Sequence, residues 1–286
     1  MSTPTTTLAT RTHRTGATPG TTPRLLGRAI RSEWIKLRTV RGAWIGLGTV
    51  IVMLVGLGAI AAAVSSGSVS GPEEGGGPGE FGEGDPLTIA LTGANFAVLL
   101  AGILGAMAGA REYGSGMIGA TIAAVPRRWQ VVVAKAVVLT GVVLATSLIG
   151  VLAAFGAGMG ILSAGDEATV ALTDDEVLGS LLGMAGYLTA IALLGLALGI
   201  LLRNAAGGIG VVVGAVLILP TLAGALLPAS LDPVLQYLPS SAAAAFTTVT
   251  GAGDSVLGAT AGALVLTAWV AAALGAAVLA ITRRDV

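Results

Sequence analysis

An all-α protein that crosses the membrane six times is the fold class this sequence predicts, and three observations predict it. Only 10% of its 286 residues are charged while 54% are hydrophobic, and the mean hydropathy is +0.90. A water-soluble domain carries about 25% charged residues, so this chain has too little charge to cover a globule in water, and too much apolar content for a disordered chain. Second, six stretches free of Asp, Glu, Lys, Arg and His run near 43–64, 87–110, 136–162, 177–202, 205–227 and 256–281. Each supplies the ~20 residues that a helix needs to cross hydrocarbon. Third, the charges divide by side. With the N-terminus in the cytosol, all 15 Lys and Arg fall on cytosolic segments, and every acid except Glu33, Glu112 and Asp285 falls outside. The positive-inside rule needs only the Lys/Arg bias, so both termini are expected in the cytoplasm.

The elements follow in order. Residues 1–23, rich in Thr, Pro and Gly, bury nothing and are expected to form a disordered cytoplasmic tail. In 24–41, Leu26, Ile30, Leu37 and Val40 gather on one side with Trp34 at its edge, and Arg24, Arg28, Arg31 and Arg38 on the other. That pattern predicts an amphipathic helix in the headgroup plane, in contact with membrane lipids. The six-helix domain proper spans 43–282. Its first outer loop, 65–86, is Gly, Pro and Glu, a flexible acidic linker whose carboxylates lack calcium-loop spacing. The fourth and fifth spans are separated only by Arg203 and Asn204, a tight hairpin. The outer segment 228–255 is too apolar for a plain loop and too broken by Pro228, Pro233 and Pro239 to span, which suits short re-entrant helices. Small-residue pairs recur at Gly105/Gly109, Gly156/Gly160, Gly195/Gly199, Gly210/Gly214 and Gly258/Gly262. In a chain with 44 glycines these support a packed bundle and no particular interface.

Catalysis finds no footing. The two lysines, Lys36 and Lys135, sit in no GxxxxGK[ST] loop, so nothing here cradles nucleotide phosphates. His13 stands alone and there is no cysteine, which removes His-based triads, zinc sites and thiol chemistry. No carboxylate lies within a span to relay protons or hold sodium. The cations, spread over four cytosolic segments, serve topology rather than nucleic-acid binding. No catalytic, cofactor or metal residues are assigned.

One cytosolic loop carries a pattern that topology alone does not explain. In 111–135, Ser115 is placed to cap a short helix whose apolar positions are Met117, Ile118, Thr121, Ile122 and Val125. Pro126 ends it, and Arg127 and Arg128 mark the return to the bilayer. Apolar residues facing the cytosol need a cover, either the membrane surface or a soluble partner.

The run Glu112-Tyr113-Gly114-Ser115-Gly116-Met117-Ile118, with Thr121, Pro126-Arg127-Arg128 and Lys135, resembles the first cytoplasmic loop of ABC-2-type ABC transporter permeases. Glu33-Trp34-Ile35-Lys36-Leu37-Arg38 resembles the segment that opens actinobacterial members, and the likeness extends over about 24–286, the 65–86 loop excepted. The resemblance implies a half-transporter in the plasma membrane that exports a substrate. Two permease copies frame the path, and a separate cytoplasmic ATPase binds ATP and magnesium. It implies further that Glu112 closes the second helix and pairs with Arg128 or Lys135, while Met117, Ile118, Thr121 and Ile122 dock on the ATPase, with Tyr113, Ser115, Pro126 and Arg127 in the same coupling loop. Two other classes fit the composition: a secondary carrier without buried charge, and a membrane scaffold that moves nothing.

Overall fold

The computed structural model describes residues 22–69, 84–114, 116, 127–248 and 257–283. Helix is the only regular structure among them. Helix α1 (Thr22–Thr39) starts two residues before the expected 24. Its inward face reads Ala29, Glu33 and, half-buried, Leu26, Ile30, Lys36, Leu37 and Val40, while Arg28, Arg31 and Arg38 are exposed. Side chains close its last turn: Thr39 Oγ1 donates to the carbonyls of Ile35 (3.0 Å) and Lys36 (3.1 Å), and Trp44 Nε1 donates to that of Arg38 (3.2 Å). These bonds satisfy carbonyls that a helix end leaves without partners. Val40, with extended backbone, is the elbow into α2 (Arg41–Ser65).

The second span departs from expectation. It begins at Ala94, as α4 (Ala94–Gly114), because residues 86–90 make a separate short helix, α3 (Pro86–Ala90). Asp85 caps α3, accepting from Thr88 N at 2.6 Å, and Pro86 suits the first helical position. Gly93 then lets the chain turn hard against the carbonyls of Met53 and Leu54, where a side chain has no room. Helix α3 is a wedge: Ala90 touches both Gly58 of α2 and Gly158 of α5 (Trp129–Ala164). With 36 residues, α5 is about 54 Å long, well beyond the ~30 Å hydrocarbon core. Its additional turns, 129–135, lie at the basic end.

Helix α6 (Asp175–Leu202) is the axis of the bundle, with Leu181, Leu188, Ile191 and Leu196 fully buried. The fifth span is continuous but irregular: α7 (Ala205–Val213), a π-turn at Gly214–Ile218, then α8 (Leu219–Leu226). Pro220 explains the irregularity, since its ring nitrogen cannot donate along the helix. Beyond it come a 3₁₀ turn (Ala229–Leu231), α9 (Asp232–Leu235) and α10 (Pro239–Thr247), the last packed against α6 and α11 (Ala259–Arg283). Among the described residues, six helices are therefore long and apolar enough to cross a membrane: α2, α4, α5, α6, α7–α8 and α11.

Two of the five glycine pairs face each other. A methyl group on Gly105 or Gly109 would strike the carbonyls of Ala192 or Leu196, and one on Gly195 or Gly199 those of Gly102 or Ala106. In a membrane, where apolar side chains gain little by leaving lipid, this close approach is what holds helices together. Gly156, Gly160, Gly210, Gly214 and Gly258 have open space instead.

Most of the expected tail, residues 70–83 of the acidic loop, and Ser115, Met117, Ile118, Thr121, Ile122 and Pro126 lie outside the described residues, as do 249–256.

Candidate functional site

At the basic end, α1, α4 and α5 meet around four charges. Lys36 Nζ bonds Glu33 Oε1 at 2.7 Å, one turn back in α1, and Glu112 Oε1 of α4 at 2.6 Å. Lys135 Nζ of α5 bonds Glu33 Oε2 at 2.9 Å and the same Glu112 oxygen at 3.0 Å. The result is a closed ring of two cations and two anions. It contains both lysines of the chain and two of the three acids that the sequence places on the cytosolic side.

The ring is possible because each residue stands where its helix turns inward. Glu33 falls in the apolar stripe of α1, one helical step from Ala29, Ile30 and Leu37. Both glutamates are buried, at 8% and 6% exposure, and Lys135 keeps a tenth of its side chain exposed. A charge taken this far from water is tolerated only when paired and hydrogen-bonded, and here every charge has two partners. For Lys36, burial works against the charge; hydrogen bonds to Glu112 and Glu33, with their Coulombic attraction, outweigh it and hold the pKa above the ordinary lysine value.

The expected coupling residues that can be located gather here. Glu112 pairs with Lys135, so the last turn of α4 and the early part of α5 are tied at the base of the 111–135 loop. Tyr113 packs beneath Arg203, whose guanidinium carbon lies 5.5 Å from the ring centroid, in cation–π range. Arg203 reaches it from a left-handed backbone conformation (φ 53°), and Asn204 caps α7 by accepting from Ala206 N (2.9 Å) and Gly207 N (3.4 Å). Arg128 Nη1 donates to the Ile281 carbonyl at 3.3 Å, near the end of α11. Arg127 is exposed and offers its carbonyl to Gln130 N. Segments from α1, both flanks of the loop, the 203–204 turn and the last span thus converge at one end of the bundle.

Sequence reasoning missed Glu33 and Lys36 as members of this cluster. The signal was present: Glu33 is the one acid within the apolar stripe of α1. It also missed Gln130, fully buried with neither amide atom bonded to a described residue, a placement that costs about 1–3 kcal/mol.

Beside the ring a cavity of ≈ 640 Å³ opens between α1, the Val40 elbow, α2, α4 and α5. Its walls are largely apolar, with Leu37, Leu104, Met107, Val138 and Leu139 among them, and Lys36, Arg111 and the ring line its charged part.

No curated protein matches the chain. The model of one family does, over residues 29–223, from the inward face of α1 through the π-turn of the fifth span, and its description is ABC-2 family transporter protein. A match over more than half of the sequence, on a bundle of six apolar helices whose basic loops converge at one end, makes this chain a member of the ABC-2 transporter family.

Proposed function

We propose that the chain is the membrane-spanning half of a two-component exporter in the plasma membrane, driven by ATP hydrolysis on a separate cytoplasmic ATPase and working as a pair of permease chains. The observation that carries the reading is the tie between Glu112 and Lys135. It clamps both flanks of the 111–135 loop to α1, so a push on the loop is delivered to α4 and α5 together. From α4 the motion passes to α6 through the glycine seam, where backbone meets backbone and little sliding is possible. The basic end is the cytosolic one on this reading, because lysine and arginine mark the cytosolic side.

The loop is proposed to dock through Met117, Ile118, Thr121 and Ile122. The test is recovery of the ATPase by wild-type and Ile118→Asp permease at matched membrane levels. An unpaired carboxylate in a buried contact costs several kcal/mol, so the variant should lose the ATPase while inserting normally. Equal recovery by both removes the loop as the docking site. Failure of wild type to recover its cognate ATPase removes the two-component reading and leaves a carrier or a scaffold.

A further inference from the structure

We propose that the outward face of α1, with the first turn of α2 beyond the Val40 elbow, is a docking surface for anionic lipid headgroups of the adjoining leaflet. Arg28, Arg31, Arg38 and Arg41 would hold the phosphates, with Trp34, Ile35 and Trp44 set among them. The inference stands on this chain alone and is independent of any ATPase.

Three features carry it. The first is which side of α1 is left over. The apolar stripe that the sequence would lay into lipid, Leu26, Ile30, Leu37 and Val40, is turned inward, where α1 packs on α5. At 3.6 residues per turn the opposite side holds Arg28, Arg31, Ile35 and Arg38, with Trp34 at its edge. All five are exposed, and so are Arg41, Trp44 and Ile45 beyond the elbow.

The second is depth. Glu33 and Lys36 tie α1 to Lys135 and Glu112, which stand beside the ends of the uncharged runs 136–162 and 87–110. A few residues on, Trp44 Nε1 holds the Arg38 carbonyl at 3.2 Å, and Arg41 opens the first span. From Glu33 to Arg41 the chain therefore keeps to one level, where the apolar layer ends, and tryptophan is the residue of that level. A face turned away from α4 and α5 at this depth meets the surrounding leaflet.

The third is charge. Among the described residues none of the four arginines is paired with a carboxylate. Glu33, the one acid of α1, is spent on the ring at the opposite side. Each guanidinium keeps its planar fork of donors, a geometry that matches phosphate oxygens. An anionic bilayer satisfies both the cations and the apolar side chains between them; an acidic protein surface satisfies the cations alone.

The sequence has no cysteine, so Ile35→Cys places a fluorophore at one known point of the full chain. In phosphatidylcholine nanodiscs, its quenching is compared for equal small shares of spin-labelled phosphatidylglycerol and spin-labelled phosphatidylcholine. Phosphatidylglycerol should quench more strongly, and the excess should vanish at high salt. It should fall about fivefold with Arg31→Gln, the worth of one arginine beside an anionic surface, and disappear in Arg28→Gln/Arg31→Gln/Arg38→Gln. These exposed substitutions should leave the unfolding midpoint unchanged. A second reporter, at Leu152→Cys on the exposed middle of α5, should show no preference. Equal quenching by the two lipids at position 35 overturns the anionic assignment, and the same preference at position 152 overturns the site. An excess retained by the triple variant overturns the arginines. No quenching by either lipid overturns the membrane contact and leaves this face to a soluble acidic partner.

Discussion

The two ends of this bundle treat acidic side chains in opposite ways. At the end rich in lysine and arginine, Glu33 and Glu112 are buried and each is held by both lysines. At the other end, where Ser66 after α2 meets Gly165 after α5, Asp166, Glu167, Asp174 and Glu176 are exposed. The acidic end obeys the charge bias and is solvated; the basic end contains the exceptions, and the exceptions are structural. The bias itself says which way the chain is threaded. A charge that breaks the bias must be compensated where it stands, and that compensation ties three helices together.

The largest effect expected follows from breaking the ring. Glu112→Ala leaves the buried Lys135 and the half-buried Lys36 with Glu33 alone, and removal of one partner from a buried ionic group costs about 3–5 kcal/mol. A loop-base ion pair in partly wet surroundings would contribute only ~1 kcal/mol, so the unfolding midpoint of the purified variant discriminates. A shift near the smaller figure would mean that water reaches the ring.

Exchanging Glu112 and Lys135 sharpens the point. Each single reversal should be severe and the double variant partly restored, with a coupling of about 0.5–3 kcal/mol in a double-mutant cycle; strict additivity would show that the two do not interact. The ring also sets an alkaline limit. Because the Lys36 pKa is raised, its stabilising contribution is complete below its ordinary 10.5 and is lost as pH rises through the higher folded value. Protease access to α1 should accordingly stay constant across neutral pH and increase only above that range.

Smaller effects belong to the acidic end. Asp85→Ala removes the cap of α3 and should cost about 1 kcal/mol, seen as a modest drop in midpoint that Asp85→Asn avoids. Smallest of all, Glu167→Gln and Asp174→Asn should lie within about 0.5 kcal/mol of wild type. A larger loss at either would erase the contrast between the ends.

The sequence made the architecture legible because hydrocarbon demands so little of it: six uncharged runs became six long helices, and the family, read from loop residues, is the one whose model matches over 29–223. What escaped was set by contact rather than by pattern. The start of α4 at Ala94 depends on Gly93 fitting against α2, and no hydropathy window sees a partner helix. The glycine pairs were visible as five equivalent candidates, yet only Gly105/Gly109 and Gly195/Gly199 meet, because facing requires knowing which helices are neighbours. Glu112 and Lys135 were recognised through the loop, whereas Glu33 and Lys36 went unrecognised as members of the ring since their partners on the other two helices are 102 and 76 residues away.

That the ring holds both lysines has a practical consequence for chemical labelling. Apart from an α-amino group, an amine-directed reagent has only Lys36 and Lys135 to modify, so its uptake reports on this one junction. In the closed arrangement Lys36, with 40% of its side chain exposed, should react ahead of Lys135, with 10%. Any state of the protein in which α1 swings away from α4 and α5 should bring the two rates together. The molecule thus carries an endogenous two-site reporter, readable by mass spectrometry without introducing a probe.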